Sequence, residues 1–434
     1  MLTILDVRNT WSRAADDADR YLAEKIEFTQ GRPDLRHIVI QPDTGDWTER
    51  RGHTLIEHVG GLGHELGQEL TRLGVGRLGS RVAGLGRSRA GLVPGRRLRE
   101  LVQLHRPDVI ECGSPVLLPA LVQVAAARLS PRPALIGHWH GDLAHAVRPR
   151  VAQVDARLAN VAEQTTDWVT RTGYAGFDAV FVPSPAEAQQ LRLGGVERLY
   201  LTPLGVDADR FTPAAREPGR LAQLRAGVDA RAIFWIDAEV ERVAPIYAAL
   251  CQRSSHDPAL ILARDDPRSQ RFARARAHVQ VAPSVADDPD ARASLLAAAD
   301  VAVALGGAVA CAEAMACARP LLAAADVASG VAGARAAELV RASGCGRTVG
   351  GRARAEAIAD AVLRLSAEPP AEREAAGQRG RVWIHRFDWP SCFERILAAY
   401  VEVLEHLRAG RRVPLGVHAR RMPPALTGSM GSPG

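Results

Sequence analysis

Short apolar runs dominated by Val, Ile and Leu alternate along the chain with longer stretches of helical periodicity, and this alternation limits the fold more than any other feature. Residues 37–40, 108–111, 134–137, 179–182 and 199–202 are nearly continuous in apolar side chains. Strands of a parallel sheet, covered on both faces by crossover helices, look like this, whereas half-exposed antiparallel strands alternate apolar with polar. Residues 55–73, 117–129 and 185–193 carry apolar side chains at helical spacing, so each is expected to be a helix. Strand, helix, strand in that order predicts an α/β class with a mainly parallel sheet.

The alternation then starts again. A polar joint at residues 203–218 is followed by runs at 232–236, 259–263, 278–281, 300–304 and 320–323, with helical stretches at 245–252, 291–298 and 311–318 between them. Two doubly wound, Rossmann-like domains facing a central cleft are the expected result, with ligands at the carboxyl ends of the strands. The boundaries place the first domain at 1–205, the second at 206–385 and a closing amphipathic helix at 386–408. The tail, 409–434, is rich in Pro, Gly and Arg, lacks periodicity and is expected to be disordered.

Basic residues number 55 against 49 acidic ones, a net charge of +6, and a single one of the 55, Lys25, is a lysine. Any phosphate site beyond Lys25 must therefore use arginine, backbone N–H groups or helix ends. Acids are interspersed with the arginines and aromatics make up 5% of the chain, which argues against a nucleic-acid partner. Arg87, Arg89, Arg96, Arg97 and Arg99 form either a solvated face or a surface for peripheral contact with anionic lipid, and both readings stay open. Six cysteines, Cys112, Cys251, Cys311, Cys317, Cys345 and Cys392, show no paired spacing and read as buried, reduced thiols. The longest apolar stretch, 301–312, is too short to span a bilayer, and no signal sequence is evident at Met1–Asp6, so a cytoplasmic location is expected.

Two patterns resemble functional motifs without their context. Gly74, Gly76 and Gly79 satisfy G-x-G-x-x-G, but a helical stretch precedes them and a loop follows, so they read as helix termination rather than a dinucleotide fingerprint. His138, His140, Asp142 and His145 could ligate a metal or could line a cleft as a packed imidazole patch; no distant ligand is identifiable, and no metal site is assigned.

Three segments are more specific. Tyr200–Pro213, with its Gly205-Val206-Asp207 turn and Phe211-Thr212-Pro213, resembles the interdomain signature of family-four retaining glycosyltransferases of the GT-B architecture. The stretch from Ala312 through Glu313 and Ala314 to Pro320 is similar to that family's glutamate helix, and 106–111 to its first-domain strand. The ending Phe387-Asp388-Trp389 extends the likeness to the closing helix. Asp6-Val7-Arg8-Asn9, Arg20-Tyr21 and Glu111-Cys112-Gly113-Ser114-Pro115 look like the branch of bacterial mannosyl- and glucosyltransferases acting on lipid or glycan acceptors.

The resemblance implies an acceptor-side first domain and a second domain that binds a nucleotide-diphosphate sugar as donor substrate, with no obligatory metal or other cofactor. Retaining transfer then rests on neutralising the charge that develops on the leaving diphosphate. Carried over by position, His140 and Asp142 are the candidate catalytic residues. Arg242, Arg264, Gly306, Gly307, Glu313 and Ala314 are the candidate donor-binding residues. Glu313 matches the family's ribose-binding glutamate, while its donor-sugar glutamate falls on Leu305. The family's diphosphate arginine falls on Ala238, beside Asp237, and Arg242 is the replacement available for its lysine. Its glycine turns fall on Asp265-Asp266 and on about Asp16-Asp17. A charged hydrogen bond is worth ~1.5–3 kcal/mol, so losing an arginine and a glutamate removes roughly 3–6 kcal/mol from donor binding. Two functions remain open: an active hexosyltransferase with a rebuilt donor site, or a non-catalytic homologue acting as a binding or scaffold subunit beside a protein partner.

Overall fold

A computed structural model describes residues 1–8, 17–61, 93–113, 118–139, 164–165, 168, 172–219, 232–254, 258–284, 287–305, 308–326, 330–351 and 354–418. The chain forms two compact units. Met1–Ser12, Ala18–Pro203 and Phe393–Gly434 make the first, Arg13–Asp17 and Leu204–Cys392 the second.

In chain order the elements are β1 (Leu2–Val7), α1 (Asp17–Gln30), β2 (Leu35–Asp43), β3 (Trp47–Arg51), β4 (Thr54–Gly60), α2 (Gly95–His105), β5 (Val109–Cys112), α3 (Leu118–Ala126), β6 (Ala134–His138), β7 (Ala179–Val182), α4 (Pro185–Leu193) and β8 (Arg198–Leu201). They continue with β9 (Ile233–Asp237), α5 (Val240–Arg253), β10 (Ala259–Leu262), α6 (Pro267–Arg274), β11 (Val279–Val281), α7 (Pro289–Ala298), β12 (Val301–Ala304), α8 (Ala308–Ala316), β13 (Leu321–Asp326), α9 (Gly330–Ser343), β14 (Gly346–Gly351), α10 (Ala355–Ser366), α11 (Pro370–Ile384), α12 (Trp389–Arg408) and β15 (Gly416–His418).

The first unit holds a nine-stranded sheet in the order β15-β8-β7-β6-β5-β1-β2-β4-β3, and the second a six-stranded sheet in the order β11-β10-β9-β12-β13-β14. All pairings are parallel except β3 with β4. Each sheet reverses its winding beside its first strand, between β1 and β5 in one and between β9 and β12 in the other. In doubly wound sheets such reversal points are where ligands bind.

The continuous apolar runs become fully buried strands. Leu5, Val7, Ile38, Ile110 and Val180 lie in the core of the first unit, and Phe234, Ile236, Leu260, Val303 and Leu322 in that of the second. Helix starts follow a repeated local code. Ser184, Asp266 and Asp288 each precede a proline and cap a helix, with Asp266 accepting from the N–H groups of Arg268 and Ser269 at 2.8 and 3.0 Å.

Two expectations are corrected. Residues 55–60, expected to begin a helix, lie in strand β4, paired on one side with β2 and on the other with β3. Leu55, Ile56 and Val59 fit helical spacing, but the left-handed Gly52 (φ 57°) closes a hairpin before them and commits the segment to the sheet. The remainder of that expected helix, the Gly74–Gly79 motif, Arg87 and Arg89 lie outside the described residues. The tail begins with structure, because Gly416–His418 adds β15 beside β8; residues 419–434 lie outside the described residues.

The glycine of the Gly205-Val206-Asp207 turn has a steric reason. A side chain there would meet the Trp389 ring at 2.5 Å, and Val206 bridges Asp388, its N–H donating to the Phe387 carbonyl at 2.9 Å. The two sequence signatures, nearly two hundred residues apart, thus form one contact in the second unit.

Candidate functional site at the carboxyl ends of the strands

The winding reversal of the second sheet holds two of the expected donor-binding residues, Arg242 and Arg264. Asp237 ends β9, Arg264 lies two positions beyond β10 and Leu305 directly follows β12. Leu305 N–H donates to the Asp237 carbonyl at 3.1 Å, which fixes the two strand ends together. Arg242, in the first turn of α5, donates from Nη1 to the Leu305 carbonyl at 3.1 Å. Arg264 Nε lies 3.4 Å from Asp237 Oδ1 and its Nη1 lies 3.9 Å from Glu239. Two guanidinium groups are therefore held at these strand ends, Arg242 through the Leu305 carbonyl and Arg264 beside Asp237 and Glu239.

Glu313 lies on α8 and is 1% exposed. Its Oε2 accepts from Arg292 Nε at 3.3 Å, and Arg292 donates from Nη1 to the carbonyls of Ala263 and Pro283 at 2.7 and 3.4 Å. The same guanidinium stands 5.0 Å from the Trp235 ring centroid. A carboxylate buried this deeply needs a cation, and Arg292 supplies it. Ala314 packs inside the helix layer. Asp266, at the expected glycine turn, spends its carboxylate on the N-terminus of α6. Burial pushes that carboxyl up, but bonds from the backbone and hydroxyl of Ser269 and the backbone of Arg268, helped by nearby Arg264, outweigh it and hold the group below the ordinary range. His140, Asp142, Gly306 and Gly307 lie outside the described residues, as do Asp16, Ser114, Pro115 and His145.

A second polar cluster occupies the winding reversal of the first sheet. Asp6 and Glu111 are register neighbours on β1 and β5, an arrangement in which like charges repel. Lys25 resolves it, donating to Asp6 Oδ1 at 3.0 Å and Glu111 Oε2 at 3.1 Å while 2% exposed. His37 Nε2 lies 2.7 Å from Asp6 Oδ2, His138 Nδ1 lies 3.3 Å from Glu111 Oε1, and the phenols of Tyr21 and Tyr400 donate to Glu111. Burial alone would raise the Glu111 carboxyl, but the Lys25 charge, then His138 and the Tyr400 hydroxyl, hold it well below the usual carboxylate range. Burial first, then the charges of Glu111 and its neighbours, pushes both phenols far up. Closed to solvent, the cluster ties β1, β2, β5, β6, α1 and α12 together within the first unit.

His138 is accordingly a packed histidine, edge-on to Tyr21 with ring centroids 4.3 Å apart. Among the described residues, no group of His, Cys, Asp or Glu is arranged to hold a metal. None of the six cysteines forms a disulfide; five are buried and Cys251 is half-buried, and burial pushes the Cys317 thiol up to about 12. No helix among the described residues is long and apolar enough to cross a membrane. Neither Arg292 nor the Lys25 cluster was identifiable as a site from sequence spacing. The one available signal was the placement of acids, Asp6 and Glu111, inside otherwise apolar strands.

Residues 45–210 match the sequence profile described as Glycosyltransferase Family 4. No curated protein matches the chain. Solved structures match along almost its whole length. An α,α-trehalose-6-phosphate synthase from Burkholderia multivorans is 15% identical, covering 94% of this chain and 99% of its own with a TM-score of 0.60. A UDP-forming α,α-trehalose-phosphate synthase from Burkholderia vietnamiensis is 16% identical over 93% and 100%, TM-score 0.61. One from Burkholderia xenovorans, in complex with glucose-6-phosphate, is 13% identical over 92% and 100%, TM-score 0.63. At such identities the likeness is one of fold: the two Rossmann-like domains of the GT-B architecture.

Proposed function

We propose that this chain is a glycosyltransferase that binds a nucleotide-diphosphate sugar at the carboxyl ends of β9, β10 and β12. It transfers the hexose, with retention of configuration, to a lipid-linked or glycan acceptor in cell-envelope glycan or glycolipid assembly. The observation that carries the reading is the convergence of Arg242 and Arg264 on the strand ends at the reversal point, just before α8. Fixed guanidinium groups stabilise the charge that builds on a leaving diphosphate without reorganising during the reaction. In this reading Arg242 is a diphosphate ligand, positioned at the end of β12 by its bond to the Leu305 carbonyl. Arg264 is a second ligand whose charge Asp237 and Glu239 partly offset. The resemblance assigns His140 and Asp142 to the reacting sugar and Gly306 and Gly307 to the turn at the phosphates.

Calorimetry with UDP-, GDP- and ADP-sugars tests the reading, UDP-glucose first because the similar structures include UDP-forming enzymes. Binding at submillimolar concentration is expected; no heat with any donor at millimolar concentration would defeat it.

A second reading, a non-catalytic homologue serving as a binding or scaffold subunit for a protein partner, is favoured by the Glu313–Arg292 pair. That pair neutralises the carboxylate meant for the ribose. Release of nucleoside diphosphate from a bound donor on addition of lipid or glycan acceptors separates the two, since only the enzyme releases it. Peripheral membrane contact belongs to the enzyme reading and requires sedimentation with anionic vesicles at low salt.

A further inference from the structure

Helix α7 is buried at every position from 291 to 298, and Arg292 is the sole charged residue in that run. A buried guanidinium is costly unless its donors are bonded, and an apolar side chain would pack there without that cost. The donors of Arg292 go to the carboxyl-end side of the second sheet. Nη1 donates to the carbonyl of Ala263, directly after β10, at 2.7 Å and to that of Pro283, two positions beyond β11, at 3.4 Å. Nε donates to Glu313 on α8 at 3.3 Å, and the guanidinium stands 5.0 Å from the ring centroid of Trp235 on β9. One side chain from α7 thus joins β9, α8 and the segments that leave β10 and β11.

The bond to Ala263 bears on the donor site because that carbonyl belongs to the peptide leading into Arg264. A peptide unit is planar, so fixing its oxygen fixes the direction in which Arg264 leaves the strand. The N–H of Ala263 donates to the Ile236 carbonyl at 3.0 Å and pins the residue from the β9 side. Further on, Asp266 is anchored at the start of α6 by the N–H groups of Arg268 and Ser269. Arg264 and Asp265 therefore span a short bridge held at both ends, and the Arg264 guanidinium comes to rest 3.4 Å from Asp237.

From this geometry we infer that Arg292 is a positioning residue for the donor's diphosphate: it holds Arg264 where the phosphates bind, and Glu313 acts behind it by aiming the guanidinium at the two carbonyls. At 5% exposed, Arg292 does not itself meet the ligand. A cation fixed in advance stabilises a diphosphate without the ordering cost that a loosely held arginine incurs on binding. The planar fork suits the task, since separate nitrogens reach the carbonyls and the carboxylate, which the single ammonium of a lysine would have to serve from one point. The ligand assigned here rests on the transferase reading, whereas the chain of contacts from Glu313 through Arg292 to the Ala263 carbonyl does not.

A double-mutant cycle on the full chain, read by calorimetry with UDP, GDP, ADP and inorganic pyrophosphate, tests the inference. Arg264→Ala and Arg292→Met should each weaken binding about fivefold. Together they should still weaken it about fivefold, because the second change removes the support of a side chain already gone, whereas independent effects would multiply to about twenty-five. Multiplying effects, or unchanged affinity in Arg292→Met beside a lowered melting temperature, overturn the inference and leave the arginine to the fold alone. Should Arg292→Met fail to fold, Arg292→Lys takes its place in the cycle, and the same two outcomes overturn it. Coupled loss of pyrophosphate binding without binding of any nucleotide or nucleotide sugar would keep the positioning role and remove the transferase reading; nucleotide-sugar binding with uncoupled effects would do the reverse. A parent chain that binds neither a nucleotide nor pyrophosphate overturns both.

Discussion

Lys25 Nζ lies 2.9 Å from the phenolic oxygen of Tyr400, a residue 375 positions further along the chain. Lys25 sits on α1 and Tyr400 on α12, so the sole lysine ties the closing helix to the carboxylates of β1 and β5 within the first unit. Phe181 stacks on Tyr400 from β7, centroids 5.5 Å apart, and completes the seat of the helix. A lysine rather than an arginine suits the place, because three donors on one compact nitrogen reach Asp6, Glu111 and Tyr400 at once.

Replacing Lys25 by Met should therefore leave two buried carboxylates facing each other without a cation. Breaking a buried pair from one side costs about 3–5 kcal/mol. Denaturant unfolding followed by far-UV circular dichroism should show the first unit's transition shifted by that amount, and Lys25→Arg should fail to restore it. A shift within error of zero would mean that water or a protonated carboxyl replaces the lysine at no cost.

Glu111 gives the same cluster an acid limit. Its folded pKa lies well below the ordinary 4.5. A depressed carboxyl contributes stability that is fully present above the unfolded value and is lost as the pH falls through the folded one. Stability should thus decline from about pH 4.5 downward, and Glu111→Gln, which has no proton to take up, should flatten that decline. Melting temperatures of both proteins between pH 3 and 7 check it; parallel curves would place the acid sensitivity elsewhere.

How far the sequence could be read depended on whether a signal was carried by one element or by several. Buried parallel strands such as Ile233–Asp237 and Ala179–Val182 announce themselves as continuous apolar runs, because both faces are covered. Strand β4 does not: Glu57 and His58 interrupt it, and their burial depends on partners from other elements, among them His105 on α2 and Asp43 on β2. Arg242 was identifiable as a candidate by its place after the first strand of the second domain. That Glu313 is matched by Arg292, and Arg264 by Asp237, depends on which strand ends and helices meet, a property of topology that spacing along one chain does not encode.

Gly205→Val should test the contact between the two signatures of the second unit. The added side chain would begin 2.5 Å from the Trp389 ring and 2.9 Å from the Trp389 backbone, so neither partner has a free rotamer to yield. Overpacking of this kind costs about 1–3 kcal/mol. Thermal unfolding should fall accordingly, and Trp389→Leu in the same chain should recover part of the loss by removing the ring; no recovery would show that the strain lies in the backbone turn instead.

The proposed donor site makes opposite predictions for two neighbouring residues. Arg242→Ala removes a guanidinium held at the end of β12 by the Leu305 carbonyl, and a lost charged hydrogen bond of ~1.5–3 kcal/mol weakens nucleotide-sugar binding by at least tenfold. Asp237→Asn instead releases Arg264 from its partner 3.4 Å away and removes a negative charge from the diphosphate's surroundings. A half-exposed ion pair is worth about 0.5–1 kcal/mol, so binding should tighten roughly twofold to fivefold. Calorimetry with whichever donor binds the parent chain reads both. Weaker binding in Asp237→Asn would mean that this carboxylate contacts the ligand directly, in the manner of a ribose clamp.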